Sequence, residues 1–328
     1  MKLRLLSRDD LRAALPMADA IKAMADAYSQ LSAGTAEIPL RSRLAVPEVD
    51  GVTLFMPALV PQTHEMAIKV VSVFPRNSQL ELPTIHALVL ALDPTNGQPL
   101  ALIEGGSLTA LRTGAGSGLA TKLLARPEAS TVGIFGSGVQ ARSQLEAVCE
   151  VRHIQTVRVY SPTRSHALAF AKEMAGKGPI PENIQVADSP SGLMTADVLC
   201  TATTSTTPVF DGDELQPGTH INAVGSFTPE MEEVDLRTLE QSTIFVDSRS
   251  AVLEEAGELI GPIQRGDLSE EAIHAEIGEV VLNRAEGRTS EDEITYFKSV
   301  GVAVQDTVAA GRALKAAEQA NLGTLIEL

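Results

Sequence analysis

The chain has 328 residues, of which 44% are hydrophobic and 21% are charged, and its formal net charge is −16. This composition is typical of a globular protein with two domains, and the acidic balance argues against nucleic acid and anionic membrane surfaces as partners. No apolar run is long enough to span a bilayer, and the first residues do not resemble a signal peptide. Two cysteines are too few for a disulfide framework, so we expect a cytoplasmic protein.

The first predicted domain covers residues 1–125 and begins with helices. A capping pattern at Ser7 to Asp10, followed by apolar residues at helical spacing, predicts helices over residues 8–32. Helices are also predicted from Leu108 to Leu124 and over residues 302–322, and the second of these is expected to return to the first domain, which residues 300–328 complete. Alternating patterns predict strands at 43–46, 51–55, 66–71, 85–92 and 99–103, the last two joined by a hairpin turn.

The second predicted domain, residues 126–299, alternates short apolar runs with helical patterns. This alternation predicts an α/β fold with a doubly wound, Rossmann-type parallel sheet, beside an α+β first domain. The predicted strands are 131–135, 156–160, 184–186, 198–201, 220–224 and 243–246.

A glycine turn follows the first strand of this second domain. Gly136, Ser137, Gly138 and Val139 separate the strand from a helical pattern that runs from Gln140 to Val148. Gly136 permits a sharp turn, and Gly138 lets the backbone approach a phosphate closely. The free N–H groups of a helix start, together with the helix dipole, favour an anion at this place. The segment therefore predicts a dinucleotide site in which residues 136–140 bind the pyrophosphate.

The next strand indicates which dinucleotide binds. NAD-binding units usually carry an acidic residue at the end of this strand, whereas NADP-binding units offer arginine or hydroxyl groups to the 2′-phosphate. Here Ser161, Thr163 and Arg164 follow Tyr160, and no acid is present. The pattern favours NADPH, with NADH as a weaker alternative. A polar turn that caps the next helix, with Ser165 as N-cap, is a compatible structural reading.

Several blocks, read together and in order, resemble the ornithine cyclodeaminase/mu-crystallin family. The resemblance runs nearly from end to end. Its blocks are Met56–Ala58, Ile68–Val70, Leu108–Gly114, Gly136–Ala141, Ile221–Gly225, Val246–Ser248, Glu276–Glu279 and Phe297–Gly301. It implies a Rossmann domain and a first domain that binds substrate and forms a homodimer. It also implies further cofactor contacts, at Thr84, Arg112, Thr201, Ala202, Thr203, Val224, Gly225, Ser226, Lys298 and Ser299.

The family includes cyclodeaminases, alanine dehydrogenases, ketimine reductases, hydroxyproline dehydratases and binding proteins, so differences must decide. The resemblance implies that cyclodeaminases of this family carry two carboxylates near their substrate. In this chain Phe227 and Leu54 stand at the corresponding positions. The loss of these carboxylates removes the expected general base. The resemblance then implies an NADPH-dependent reductase of cyclic α-imino acids, such as 1-pyrroline-2-carboxylate or 1-piperideine-2-carboxylate. Alternatives are a cis-3-hydroxy-L-proline dehydratase, an alanine-dehydrogenase-like enzyme, an ornithine cyclodeaminase, or a mu-crystallin-like binding protein for a small ligand and NADPH.

Three basic residues are the candidates for the chemistry. Arg112 offers a fork for the carboxylate of the substrate or for a phosphate of the cofactor. Arg41 or Arg43 is expected to complete the carboxylate clamp, and the resemblance favours Arg41. Lys69 interrupts an apolar strand; it is either an edge-strand charge or a group that pairs with a carboxylate or protonates an imine. Asp306 and Glu276 are expected to have mainly structural roles. The six histidines lack ligand spacing, so no metal is expected.

Overall fold

The computed structural model describes residues 1–328, with the exception of the side chain of Ser78. The chain forms two compact units. The first unit is Met1–Arg112 together with Val302–Leu328, and the second unit is Thr113–Gly301. The division after Arg112 falls inside a long helix. Two functional assignments stay predictions. They are substrate binding and dimerisation for residues 1–125 with 300–328, and dinucleotide binding for residues 126–299.

The strands are numbered in chain order. They are β1 (Lys2–Leu6), β2 (Ser42–Val46), β3 (Gly51–Val60), β4 (Glu65–Val73), β5 (Ile85–Leu92), β6 (Pro99–Glu104), β7 (Thr131–Phe135), β8 (Thr156–Tyr160), β9 (Ile184–Val186), β10 (Val198–Thr201), β11 (His220–Ala223), β12 (Ser242–Val246), β13 (Ile273–Glu276), β14 (Ile294–Lys298) and β15 (Thr324–Glu327).

The α-helices are numbered in the same way. They are α1 (Arg8–Ala14), α2 (Met17–Ser32), α3 (Gly105–Leu124), α4 (Val139–Val151), α5 (Arg164–Met174), α6 (Leu236–Glu240), α7 (Arg249–Glu255), α8 (Gly257–Arg265), α9 (Ile277–Val281) and α10 (Ala303–Ala320).

The first unit is built on a mixed sheet with the strand order β15-β1-β6-β5-β4-β3-β2. Neighbouring strands are antiparallel except β1 and β6, which are parallel. Helix α10 packs against α1, α2, β3 and β4 on one face of the sheet. The predicted hairpin of β5 and β6 and the predicted return of the last helix are confirmed. Strands β1 and β15 were not predicted, because each is short and pairs with the opposite end of the chain.

The two faces of this sheet differ in burial. Met56, Lys69 and Val89 lie opposite one another on β3, β4 and β5, and all three are buried on the helix side. The next residues along these strands point to the other face, because side chains alternate along a strand. That open face is apolar yet only partly covered, and its central residues are Phe55, Pro57, Ile68, Val70, Leu88 and Leu90.

The second unit is an α/β fold with a wholly parallel sheet, in the order β13-β12-β14-β11-β10-β7-β8-β9. From β7 the chain first runs outward through β8 and β9, and then returns to the other side of β7 with β10 and β11. This reversal of direction beside β7 is the switch point where such sheets bind ligands. The predicted Rossmann-type fold is confirmed, although β13 and β14 were not predicted.

Among the described residues, none of the helices has the length and apolar character needed to cross a membrane.

Candidate functional site

The glycine turn after β7 has room for an anion. Gly136 has a φ of +103°, and a Cβ atom there would lie 2.5 Å from the carbonyl oxygen of Ala202. Gly138 is the N-cap of α4, no side chain caps this helix start, and a Cβ at Gly138 would meet nothing within 4 Å. The first N–H groups of α4 therefore face open space, which fits the pyrophosphate of a dinucleotide.

Arg142, one turn into α4, holds this glycine turn in place. Its guanidinium donates to the carbonyl oxygens of Ser137 at 2.6 Å and of Gly138 at 2.9 Å. It also pairs with Glu173 at 2.6 Å and lies over the ring of Phe170. These contacts hold the two carbonyls in place. This role could not be predicted from the sequence, because it depends on a contact with α5.

The end of β8 presents polar groups to solvent. Ser161 is half-buried, and Thr163 and Arg164 are exposed. Thr163, and not Ser165, is the N-cap of α5, so the expectation for Ser165 is wrong by two residues. Arg164 forms an ion pair with Asp188, a mostly exposed carboxylate just after β9. The sequence of β8 could not reveal this acid, because it comes from the neighbouring strand.

The predicted cofactor residues after β10 and β11 are bound to one buried acid. Thr201, Thr203, Gly225 and Ser226 all donate hydrogen bonds to the carboxylate of Glu233. Burial raises the pKa of Glu233, although Lys298 opposes this rise. Glu233 was not predicted from the sequence. The backbone joins the two segments as well, since the N–H of Val224 donates to the carbonyl of Thr201 and that of Ala202 to Phe135.

The predicted cofactor residues after β14 have internal partners. Lys298 is fully buried, forms a 2.6 Å ion pair with Glu258 and donates to the carbonyl of Ser226 at 2.8 Å. Ser299 donates to Asp247 at 2.8 Å. The Lys298 side chain therefore holds the Ser226 segment through its backbone carbonyl. Contact between either residue and a cofactor stays a prediction.

Lys69 and Arg112 lie together in the first unit, on either side of Asp306. Lys69 Nζ is 3.1 Å from Asp306 Oδ1, and Arg112 Nε is 3.2 Å from the same oxygen. All three side chains are buried. Lys69 belongs to β4, which lies between β3 and β5, so the edge-strand interpretation is wrong. The structure thus joins the two basic candidates through one acid of α10.

A neutral network orients Arg112. Its Nη1 donates to Gln305 Oε1 at 3.1 Å, and Gln305 Nε2 donates to the hydroxyl of Tyr28 at 2.7 Å. Gln305 Oε1 also accepts from the N–H of Val302 at 2.9 Å. Helices α2, α3 and α10 therefore all contribute to the position of the guanidinium. Such a fixed fork can bind a planar carboxylate through two parallel hydrogen bonds.

The charges of this cluster shift one another. Burial lowers the pKa of Lys69 to about 8. Asp306 raises this pKa, whereas the positive charges of Arg112 and Arg41 lower it further. Burial alone would raise the pKa of Asp306, but Arg112 and Lys69 outweigh it and leave this pKa below its usual value. Asp306 is therefore ionised, and the cations around it exceed the single negative charge.

The remaining candidates of the first unit are less buried. Arg41 is half-buried just before β2, and its charge acts on Lys69. Thr84 is exposed, and its carbonyl accepts from the N–H of Phe74 at 2.8 Å. Leu54, which stands where a family carboxylate was expected, packs beside Met56 and Ala58. Phe227, the other such residue, lies in the second unit and is 38% exposed.

Asp306 and Gln305 contact the basic candidates, and these contacts were not predicted from the sequence. Asp306 was expected to be a structural acid, whereas its carboxylate binds both basic candidates. A signal was present: both residues lie in a run from Ala303 to Ala310 that is entirely buried, where an unpaired acid would be costly. The sequence could not show which cation would meet it. Across the residues that the structure describes, no group of His, Cys, Asp and Glu side chains could hold a metal ion.

Comparison with known proteins agrees with this fold. The model of the ornithine cyclodeaminase/mu-crystallin family matches residues 1–320. The parallel sheet with its glycine turn, and the mixed sheet that carries Lys69, are those of a two-domain protein of Rossmann type. The chain belongs to the ornithine cyclodeaminase/mu-crystallin family.

Three relatives illustrate the similarity. A Delta(1)-pyrroline-2-carboxylate reductase of Bacillus cereus is 38% identical over 98% of this chain and 99% of its own. The structure of the Thermococcus litoralis Delta(1)-pyrroline-2-carboxylate reductase, in complex with NADH and L-proline, is 42% identical, with a TM-score of 0.93 over 98% of this chain and 99% of that one. An archaeal alanine dehydrogenase dimer with bound NAD is 33% identical, with a TM-score of 0.92 over 100% of both chains.

Proposed function

We propose that the protein is an NAD(P)H-dependent reductase of cyclic α-imino acids, which converts 1-pyrroline-2-carboxylate to L-proline and 1-piperideine-2-carboxylate to L-pipecolate. The observation that carries this proposal is the buried cluster of Lys69, Arg112 and Asp306, in which one acid is shared by two cations. The relatives from Bacillus cereus and Thermococcus litoralis support the same reaction.

The excess of positive charge in the cluster suits the substrate carboxylate. Arg112 binds it through the guanidinium fork, Arg41 completes the clamp, and Lys69 contributes a point charge. These charges lie where water is largely excluded, so each contact is stronger than it would be at the surface. An uncharged cyclic imine would lack this attraction and would leave the excess charge uncompensated.

The second oxygen of Asp306 suits the substrate nitrogen. Asp306 Oδ2 is buried and has no hydrogen-bond partner among the described residues. A protonated imine carries an N–H donor next to its carboxylate, and such a donor would satisfy this oxygen. Lys69, with its pKa near 8, holds a proton at Nζ at neutral pH and keeps the nitrogen protonated, directly or through a water. The bound nicotinamide cofactor supplies the hydride that completes the reduction.

The second unit would hold the cofactor. Gly136 to Gln140 bind the pyrophosphate at the start of α4. Ser161, Thr163 and Arg164 would bind a 2′-phosphate, so we propose NADPH as the better cofactor and NADH as the weaker one. The carboxylate of Asp188 opposes this preference, because it already pairs with Arg164. An exposed pair of this kind is weak, and a phosphate can replace it.

The open face of the first unit supports a homodimer. Phe55, Val70 and Leu88 form a row across β3, β4 and β5 on this face, and Leu88 is 49% exposed. A row of partly exposed apolar side chains on one face of a sheet is typical of an interface between subunits. The archaeal alanine dehydrogenase relative is described as a dimer. We propose that a second copy of this chain covers the open face.

A panel of substrates tests the reductase against the alternatives. NADPH and NADH oxidation is measured with 1-pyrroline-2-carboxylate, 1-piperideine-2-carboxylate, and pyruvate with ammonia; ammonia release is measured from L-ornithine with NAD; and loss of water is measured from cis-3-hydroxy-L-proline. We expect the cyclic imines to exceed the other substrates in kcat/KM, and Lys69→Met to abolish turnover while NADPH still binds.

Other outcomes identify the alternatives. Higher kcat/KM with pyruvate and ammonia would assign an alanine dehydrogenase, and turnover of ornithine or hydroxyproline would assign a cyclodeaminase or dehydratase. Phe227 and Leu54 argue against the cyclodeaminase, because neither can accept a proton. Tight NADPH binding without turnover of any substrate would contradict an enzyme and indicate a binding protein.

A further inference from the structure

Glu233 joins two segments of the second unit that are distant in sequence. Its Oε1 accepts from the N–H of Thr203 at 2.7 Å and from the hydroxyl of Thr203 at 2.8 Å. Its Oε2 accepts from the Thr201 hydroxyl at 2.8 Å and from the N–H groups of Gly225 at 2.7 Å and Ser226 at 3.2 Å. Both oxygens of this fully buried carboxylate are therefore saturated by uncharged donors.

The sheet topology indicates which half of a dinucleotide these segments face. The pyrophosphate turn follows β7, and the polar groups proposed for the adenosine ribose follow β8, on one side of β7. The other half of the cofactor must then extend to the opposite side, over the carboxyl ends of β10 and β11. These ends are the segments Thr201–Thr203 and Gly225–Ser226 that Glu233 joins. The nicotinamide half of a bound cofactor would lie there.

We propose that Glu233 is a positioning residue that holds these two segments in the conformation that receives the nicotinamide half of the cofactor. The proposal rests on the proposed function, because it takes the cofactor to be a nicotinamide dinucleotide. Glu233 does not touch the substrate or the cofactor, and acts through Thr201, Thr203, Gly225 and Ser226.

Only an ionised carboxylate can make all of these contacts. In a glutamine, one of the two oxygens becomes an NH2 group, which would face the N–H of Thr203 or those of Gly225 and Ser226. Two donors then meet, and the segment must move away. The space is also closed to adjustment, since a Cβ at Gly225 would collide with Glu233 Oε1 and with the backbone of Thr203.

The Lys298–Glu258 pair supports the same segment from the opposite side. Lys298 donates to the carbonyl of Ser226, while Glu233 accepts from the N–H of Ser226. The backbone N–H and the backbone carbonyl of Ser226 are thus both held by buried charged residues. This arrangement leaves little freedom for the loop, as a site that must fix one ring in one orientation requires.

The test compares two ligands that differ in the nicotinamide ring. Dissociation constants of NADH and ADP-ribose are measured for the wild type, Glu233→Gln and the control Glu232→Gln, which makes the same change at the adjacent, less buried residue. We expect Glu233→Gln to weaken NADH binding by about tenfold or more and ADP-ribose binding by less than about twofold. The control should leave both constants unchanged.

Two results would overturn the proposal. Equal weakening of both ligands would show that Glu233 only supports the fold of the unit, and unchanged NADH binding would show that the segments hold their shape without it. If Glu233→Gln does not fold, Thr203→Val removes one donor and keeps the carboxylate; it should weaken NADH more than ADP-ribose by a few fold, and equal effects would again refute the proposal. Wild-type protein that binds NADH but reduces no imine would refute the proposed function alone.

Discussion

Asp306 in the first unit and Glu233 in the second are both fully buried carboxylates, and they are held in different ways. Two cationic side chains, Lys69 and Arg112, meet one oxygen of Asp306, and its second oxygen has no hydrogen-bond partner among the described residues. Glu233 instead accepts five hydrogen bonds from N–H and O–H groups at the end of β10 and in the loops after β10 and β11, and both of its oxygens are used.

The pKa values follow from these partners. Nearby cations lower the pKa of Asp306 in spite of its burial, whereas burial raises the pKa of Glu233 because its direct partners are neutral. The comparison teaches that an acid can serve a site in two ways. An acid paired to side chains sets the charge that a substrate meets. An acid bonded to the backbone sets the shape of the loops that a cofactor meets.

Removal of the Asp306 charge should have the largest effect. In Asp306→Asn, Lys69 and Arg112 repel each other without a counterion, and the proposed partner of the imine nitrogen becomes an amide. We expect kcat/KM on 1-pyrroline-2-carboxylate to fall by about 10²–10⁴-fold, while the dissociation constant of NADH stays within a few fold. Steady-state kinetics and fluorescence titration measure the two quantities. Weakened NADH binding with normal catalysis would reverse the comparison with Glu233.

The pH dependence of catalysis should report the charge on Lys69. Since burial lowers its pKa to about 8, Lys69 is protonated below that pH and loses its charge above it. We expect kcat/KM to be constant below pH 8 and to fall about tenfold per pH unit above it, because the carboxylate loses a cation. The profile of Lys69→Arg serves as the control and should lack this decline. The same decline in the variant would assign it to the imine of the substrate.

A third carboxylate, Asp188, is mostly exposed, in contrast to the buried Asp306 and Glu233. Arg164→Ala should raise the KM for NADPH by about tenfold to a hundredfold, since one charge-assisted phosphate contact is lost, and should leave NADH unchanged. Asp188→Ala should lower the KM for NADPH by a few fold, because Arg164 loses its competing partner. Initial rates with both cofactors measure these values. Equal use of the two cofactors by the wild type would contradict the preference.

The smallest effect concerns Glu65, whose pKa burial raises to about 7 in the first unit. The folded protein therefore holds this proton more tightly than the unfolded chain does, and the stabilisation is complete below pH 4.5 and lost as the pH rises to about 7. Glu65→Gln should remove this dependence and raise Tm at pH 8 by about 2 °C. Thermal unfolding between pH 5 and 8 measures it, with exposed Glu81→Gln as control; an unchanged slope of Tm against pH would contradict the assignment.

The parts that the sequence predicted well are those that depend on neighbouring residues. Gly136 identified its turn because its φ of +103° favours glycine and a Cβ there would collide with Ala202, and the hairpin of β5 and β6 followed from its local pattern. Contacts between distant segments were not predictable in this way. The partnership of Asp306 with Lys69 joins residues 237 positions apart, and the carboxylate beside Arg164 comes from another strand. A single sequence contains the residues of these pairs but not their proximity.

The discontinuity of the first unit has a consequence for the order of folding. Each strand of the parallel sheet belongs to one uninterrupted stretch of chain, so the second unit can close its sheet as soon as residues 113–301 have left the ribosome. The mixed sheet must wait, because β1 pairs with β15 and the partner of Lys69 lies on α10. Until then Lys69 and Arg112 have no counterion in the nascent chain. The cluster of Lys69, Arg112 and Asp306 is therefore assembled last, after the long loop between its two parts has already become a folded domain.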